Sequence, residues 1–159
     1  MKSKEEELLD GRDEAPKDDS SWTQALLAST AYLPQQISQS QLQQISPTAL
    51  AYMGDAIYEL YVRMHYLLPL QRPDTYHRLV VAQVRAEKQA LHLRSLTPYL
   101  NNNELEIVRR GRNASTGHPK RVDPQIYQQA TSLETLIGYL YLSDFQRLTE
   151  LLQKLQLEK

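Results

Sequence analysis

The sequence predicts an all-α domain, and three observations carry that prediction. No stretch alternates apolar and polar residues as a half-buried strand would. Apolar residues instead recur at three- and four-residue spacings between Leu50 and Leu155. Cap-then-proline pairs at Ser46-Pro47 and Asp123-Pro124 mark helix starts, because proline is tolerated where the helix has no use for its missing N–H.

The elements follow in order. Residues 1–21 hold four basic and eight acidic side chains, a net charge of −4, with few large apolar groups, and read as a disordered acidic tail. The rest of the 159-residue chain carries fourteen basic and eleven acidic residues, a net +3. Such a tail either solubilises the chain or competes with a polyanion for a basic face. A short helix is expected over 22–30, and the Gln- and Ser-rich stretch at 34–46 reads as linker. Residues 22–45 are thus a helix-and-linker segment, and residues 46–157 the domain proper.

The first long helix is expected from Pro47 to about Leu68, where Pro69 stops it. A second starts at Pro73-Asp74, runs through Val80, Val84, Leu91 and Leu96, and ends near Pro98. Asn103 caps a third, from Glu104 to about Arg110, closed by Gly111. Residues 112–122 carry Gly and Pro and no apolar stripe, so they read as a loop. A fourth helix runs from Pro124 to about Leu142. Ser143-Asp144 opens the last, with leucines at 148, 151, 152 and 155.

Composition removes several function classes. There is no cysteine, which excludes disulfides, thiolate metal sites and a cysteine nucleophile. No apolar run is long enough to span a bilayer. The N-terminus lacks the apolar core of a secretory signal and is too acidic for an organelle transit peptide. A cytoplasmic protein without a membrane partner is expected.

Two residues of the first long helix, "ALAYMGDAIYELYV" at 49–62, are out of place. Gly54 costs about 1 kcal/mol relative to alanine in a helix interior, and Asp55 is a weak helix former beside it. At 100° per residue, Leu50, Met53, Ile57, Leu60, Tyr61 and Met64 share one face, with Gly54 at its edge. Gly54 permits close approach of a neighbouring helix, while Asp55 and Glu59 point elsewhere. In "YQQATSLETLIGYLYL", residues 127–142, Glu134 borders a stripe of Leu133, Leu136, Ile137 and Leu140, with Thr131 and Gly138 on its flank. Alone, Asp55 reads as a solvated charge. Read together, Asp55 and Glu134 can face one pocket and share a hard cation such as Mg²⁺, which prefers carboxylate oxygen and retains waters.

These residues resemble a family. "LAYMGDAIYEL" resembles the signature helix of ribonuclease III domains, and "TSLETLIGYLYL" that family's second acidic motif. The likeness runs from about Leu42 to Leu152. "RRGRNA" at 109–114 and "YQQAT" at 127–131 resemble its minimal branch, Mini-ribonuclease III, which has the catalytic domain and no double-stranded-RNA-binding domain.

The resemblance implies an endonuclease cutting double-stranded or structured RNA with Mg²⁺, Mn²⁺ being able to substitute, and leaving a 5′-phosphate and a 3′-hydroxyl. Asp55 and Glu134 would be catalytic and ligate the metal, with Glu59 and Thr131 one shell further out. Glu59 reads equally as a plain surface glutamate. Where full-size members carry further acids, this chain has Thr48, Ala51 and Thr131, so fewer carboxylates leave more positions to water and phosphate. The implied substrate is a precursor of ribosomal RNA (23S). The implied assembly is a homodimer, for which ten tyrosines against one phenylalanine suit an interface. A ribosomal protein assisting cleavage is a further partner the resemblance allows.

Arg109, Arg110, Arg112, Lys120 and Arg121 fall in a stretch without an acid. Such a cluster either solubilises a loop or pairs with phosphates in a salt-sensitive way. Asn113 and His118 can add hydrogen bonds. Arg78 and Arg85, seven apart on one expected helix, would share a face and line the same RNA-binding surface. His65, His77 and His92 show no metal-ligand spacing and read as packing or surface residues. The competing reading is a catalytically inactive ribonuclease III-like scaffold that binds RNA or a ribosome.

Overall fold

Every regular element among residues 37–158, which the structure (a computed structural model) describes, is helical, as expected. The acidic tail and the helix expected over 22–30 lie outside the described residues. The elements are α1 (Gln39–Gln44), α2 (Pro47–Leu67), α3 (Pro73–Gln83), α4 (Ala86–Leu96), a 3₁₀ turn (Thr97–Tyr99), α5 (Asn102–Ala114), α6 (Pro124–Ser143) and α7 (Phe145–Gln153). Among the described residues, no helix is long and apolar enough to cross a membrane.

α1 corrects the expectation of linker. Ser38 and Gln41 form a capping box, each side chain accepting from the other's backbone N–H, and Leu42 is buried. The polar composition hid a cap and a single anchor. α2 starts where expected, with Ser46 Oγ accepting from the Ala49 N–H at 3.1 Å.

The buried face of α2 is rotated from the expected stripe. Leu50, Ala51, Gly54, Ile57, Tyr58, Val62 and Tyr66 are inside, whereas Met53 and Leu60 are exposed. Two tyrosines account for the difference, because their hydroxyls find partners in the interior. The Tyr58 hydroxyl donates to the Gln83 carbonyl at 3.0 Å and lies 3.0 Å from His92 Nδ1; the Tyr66 hydroxyl donates to the Glu158 carbonyl. His92 is a packing residue, as expected, and burial holds its ring below the usual histidine range.

The single helix expected from Pro73 to Pro98 is two. Val84 (φ −85°, ψ 4°) leaves the helix and Arg85 is extended (ψ 149°) as the N-cap of α4. No glycine or proline marks this break. It re-aims α4 onto α6 while Tyr58 holds the Gln83 carbonyl at the end of α3. Arg78 and Arg85 therefore do not share a helix face.

α5 is longer than expected at both ends. Its cap is Asn101, not Asn103: Asn101 Oδ1 accepts from the Glu104 N–H and Glu104 Oε2 from the Asn101 N–H, both at 2.9 Å. It runs through Gly111 to Ala114, so the loop begins at Ser115 and Arg112 and Asn113 are helical. Gly111 does not stop the helix. A Cβ there would lie 2.5 Å from Thr135 Oγ1 and 3.2 Å from Ser132 Cα, so the glycine serves contact with α6.

α6 is central, packed by α2, α4 and α5. Asp123 caps it, accepting from the Gln125 and Ile126 N–H groups. α7 begins after Asp144, and Leu148, Leu151, Leu152 and Leu155 are buried as predicted. Arg147 of α7 clamps the buried Glu104 carboxylate, Nε to Oε1 at 2.7 Å and Nη2 to Oε2 at 3.1 Å. Burial pulls that carboxyl up, but the Arg147 hydrogen bonds, the Asn101 N–H and the guanidinium charge outweigh it and hold it below the usual range.

Candidate active site

Two glycines create the site. A Cβ on Gly54 would overlap the Glu134 carbonyl oxygen, 2.6 Å from its carbon and 2.9 Å from Gly138 N; one on Gly138 would overlap the Leu50 carbonyl, 2.8 Å from its carbon. α2 and α6 therefore touch backbone to backbone, an approach that only glycine at both crossing positions allows. Asp55 directly follows Gly54, and Glu134 precedes Gly138 by one turn. The close crossing brings both carboxylates to a single pocket of about 250 Å³.

Thr48, Ala51 and Thr131 all line this pocket, beside Tyr52 and Tyr127. The end of α5 and the start of the following loop close it with Ala114, Ser115 and Thr116. Tyr52, Tyr127, Ser115 and Thr116 were not singled out from the sequence. Tyr52 and Tyr127 fall beside the two acidic motifs, which is the one signal that pointed at them.

The electrostatics are those of two acids held together out of water. Burial, then the Asp55 charge, push the Glu134 carboxyl up to about 7, while a hydrogen bond from the buried Gln89 of α4 works the other way. Burial, then the Glu59 charge, raise Asp55. Among the described residues, no Lys, Arg or His lines the pocket beside the two carboxylates.

Among the described residues, no three His, Cys, Asp or Glu side chains form a ready metal cluster. The donor set nevertheless fits a hard divalent cation. Its oxygens come from two carboxylates and neighbouring hydroxyls, there is no nitrogen or sulfur, and a pocket of this size leaves room for the waters that Mg²⁺ retains.

The other predicted residues are less concentrated. Glu59 is paired with Arg63 at 2.5 Å and does not line the pocket. Arg109 is exposed and paired with Glu106 at 2.6 Å. Arg110 is half-buried, and Arg112 and Asn113 are exposed on the last turn of α5. His118, Lys120 and Arg121 are exposed on the loop that leaves the pocket wall at Ser115 and Thr116. Arg78 and Arg85 are exposed and outside the pocket.

Comparison with known proteins identifies the domain. Residues 48–144 match the ribonuclease III domain. The chain is 57% identical over 116 residues, 73% of its length and 81% of the relative's, to a protein named "Mini-ribonuclease 3" from Synechocystis sp.. It is 57% identical over 119 residues, covering 75% and 86%, to one of the same name from Synechococcus sp.. The crystal structure of protein FN1578 from Fusobacterium nucleatum superposes with a TM-score of 0.65 at 30% identity, covering 69% of this chain and 91% of that one. With a domain match across most of the helical core and two carboxylates meeting at its central crossing, the chain belongs to the ribonuclease III domain family of endoribonucleases.

Proposed function

We propose that the protein is a Mg²⁺-dependent endonuclease for double-stranded RNA that matures a ribosomal RNA precursor in the cytoplasm, acting as a homodimer and leaving 5′-phosphate and 3′-hydroxyl ends. The observation that carries this reading is the meeting of Asp55 and Glu134 in one pocket at a glycine–glycine crossing. Relatives named "Mini-ribonuclease 3" support it. Met53 and Leu60, two turns apart on the exposed side of α2, are apolar surface that a second copy would cover.

The roles follow from the side chains. Asp55 and Glu134 would hold the divalent ion, whose charge would offset their mutual repulsion. The ion supplies Lewis acidity and a water that is nucleophilic near neutral pH. Thr48, Ala51 and Thr131 add no charge, so a bound ion would leave more positions to water and substrate phosphate. Glu59, one turn beyond Asp55, acts through its charge on Asp55. Arg112, Lys120 and Arg121 hold phosphates of the duplex at the pocket rim. No histidine is required as a base.

The test is incubation of the purified protein with a long duplex RNA and with a 23S precursor transcript, followed by end-group analysis. Mg²⁺-dependent fragments with ligatable 5′-phosphates and 3′-hydroxyls support the reading. Binding without cleavage of either RNA, in Mg²⁺ or Mn²⁺, favours the scaffold.

A further inference from the structure

Among the described residues, the Ser115 hydroxyl is the one fully buried side-chain polar atom with no hydrogen-bond partner in the protein. A buried hydroxyl left unpaired is unfavourable, and native interiors rarely keep one without a reason. This one stands in the wall of the pocket that contains Asp55 and Glu134. Its backbone N–H is tied to the Arg112 carbonyl at 3.3 Å as the C-cap of α5, so the backbone of the residue is held at the helix end while its hydroxyl makes no hydrogen bond to the described residues. The loop then continues through Gly117, whose φ of 78° suits glycine, toward exposed Lys120 and Arg121.

We propose that Ser115 is a substrate-binding residue: its hydroxyl rotates into the pocket and hydrogen-bonds the sugar–phosphate backbone of the RNA strand whose phosphate lies between Asp55 and Glu134. This inference rests on the proposed RNA-cleaving function and adds to it a contact that needs no charge. Its chemistry suits either a phosphate oxygen, to which the hydroxyl donates, or a ribose 2′-hydroxyl, which can both donate and accept. Ser115 thereby links the basic loop to the acidic pocket, so that strand position is set by a short neutral contact rather than by the long cationic side chains alone.

The test compares wild type, Ser115→Ala and Ser115→Thr for affinity toward a duplex RNA in chelator, for melting temperature, and for Mg²⁺-dependent cleavage. The expected result is an unusual pairing. Ser115→Ala binds RNA about three- to tenfold more weakly, the size of one neutral hydrogen bond, yet melts no lower than wild type because the unpaired group is gone. Ser115→Thr, which keeps the hydroxyl, restores affinity. A duplex with 2′-deoxy nucleotides around the cut site separates the two partners. If the 2′-hydroxyl is bound, wild type loses affinity on it and Ser115→Ala loses nothing further; if a phosphate is bound, both lose equally. A lower melting temperature of Ser115→Ala, or unchanged RNA affinity, overturns the proposal. Failure of wild type itself to bind and cut duplex RNA instead removes the function on which it rests.

Discussion

The Glu134 carbonyl oxygen occupies the space that any side chain on Gly54 would need. The obstruction is backbone, which cannot swing aside as a flexible side chain would. Gly54→Ala should therefore destabilise the protein by about 3 kcal/mol or more, at the upper end of overpacking costs. The same holds for Gly138→Ala, which meets the Leu50 carbonyl. Denaturant titration measures the loss. Any folded fraction should have lost cleavage activity, because separating α2 from α6 moves Asp55 away from Glu134.

Glu134→Gln should be more stable than wild type when no divalent metal is present. Burial and Asp55 raise this carboxyl in the folded protein to about 7, whereas in the unfolded chain it ionises in the ordinary range. The unfolded chain thus loses its proton first as pH rises, and wild type loses stability between about pH 4.5 and 7. The advantage of Glu134→Gln should be near zero at pH 4.5 and reach about 1–3 kcal/mol at pH 8. Thermal melts across that range in chelator check both size and slope. An advantage that shrinks as pH rises contradicts the electrostatic account.

Glu104 behaves in the opposite sense. Its folded carboxyl is held low by Arg147 and the Asn101 N–H despite burial. The stability it contributes is present above the unfolded carboxylate range and is lost as pH falls through the folded value. Arg147→Met leaves a buried charge unpaired and should cost about 2–4 kcal/mol at pH 7, somewhat below the fully buried limit because Arg147 is partly exposed. The double variant with Glu104→Gln should recover part of that loss, a coupling that a double-mutant cycle measures.

Lys120 and Arg121 lie on the loop leaving the pocket, exposed and without an ion pair assigned to them among the described residues. If they meet phosphates, replacing both with alanine should weaken RNA binding across sequences. It should also reduce the slope of log affinity against log salt by about 2. The same change at Arg109, which is already paired with Glu106, should have a smaller effect.

How much of this was legible in the sequence depended on which interactions were local. Ser46-Pro47, Asp123-Pro124 and the α7 leucines announced themselves because caps and amphipathic spacing act over one turn. The break at Val84 and Arg85 had no such marker, since its cause is distant: Tyr58 fixes the end of α3 and α6 receives α4. Gly111 shows the ambiguity most clearly. Glycine ends helices and also admits neighbours, and only the position of Thr135 reveals which use is made of it. Asp55 and Glu134 stood out because each is a lone carboxylate near a glycine in an apolar helix, Gly54 adjoining Asp55 and Gly138 lying one turn beyond Glu134. Ser115 was not, because a buried hydroxyl without a partner has no signature in one dimension.

In the proposed mechanism Asp55 and Glu134 act together on a divalent ion to cut RNA. The most direct measurement is cleavage of a long duplex RNA at low salt by wild type, Asp55→Asn and Glu134→Gln, each with Mg²⁺ and with chelator, alongside RNA affinity in chelator. Wild type should give discrete products only with Mg²⁺, each variant should lose at least about a hundredfold, the rate equivalent of a few kcal/mol of lost metal charge stabilisation, and both variants should retain RNA binding. Cleavage that survives either substitution, or that proceeds equally in chelator, would contradict it.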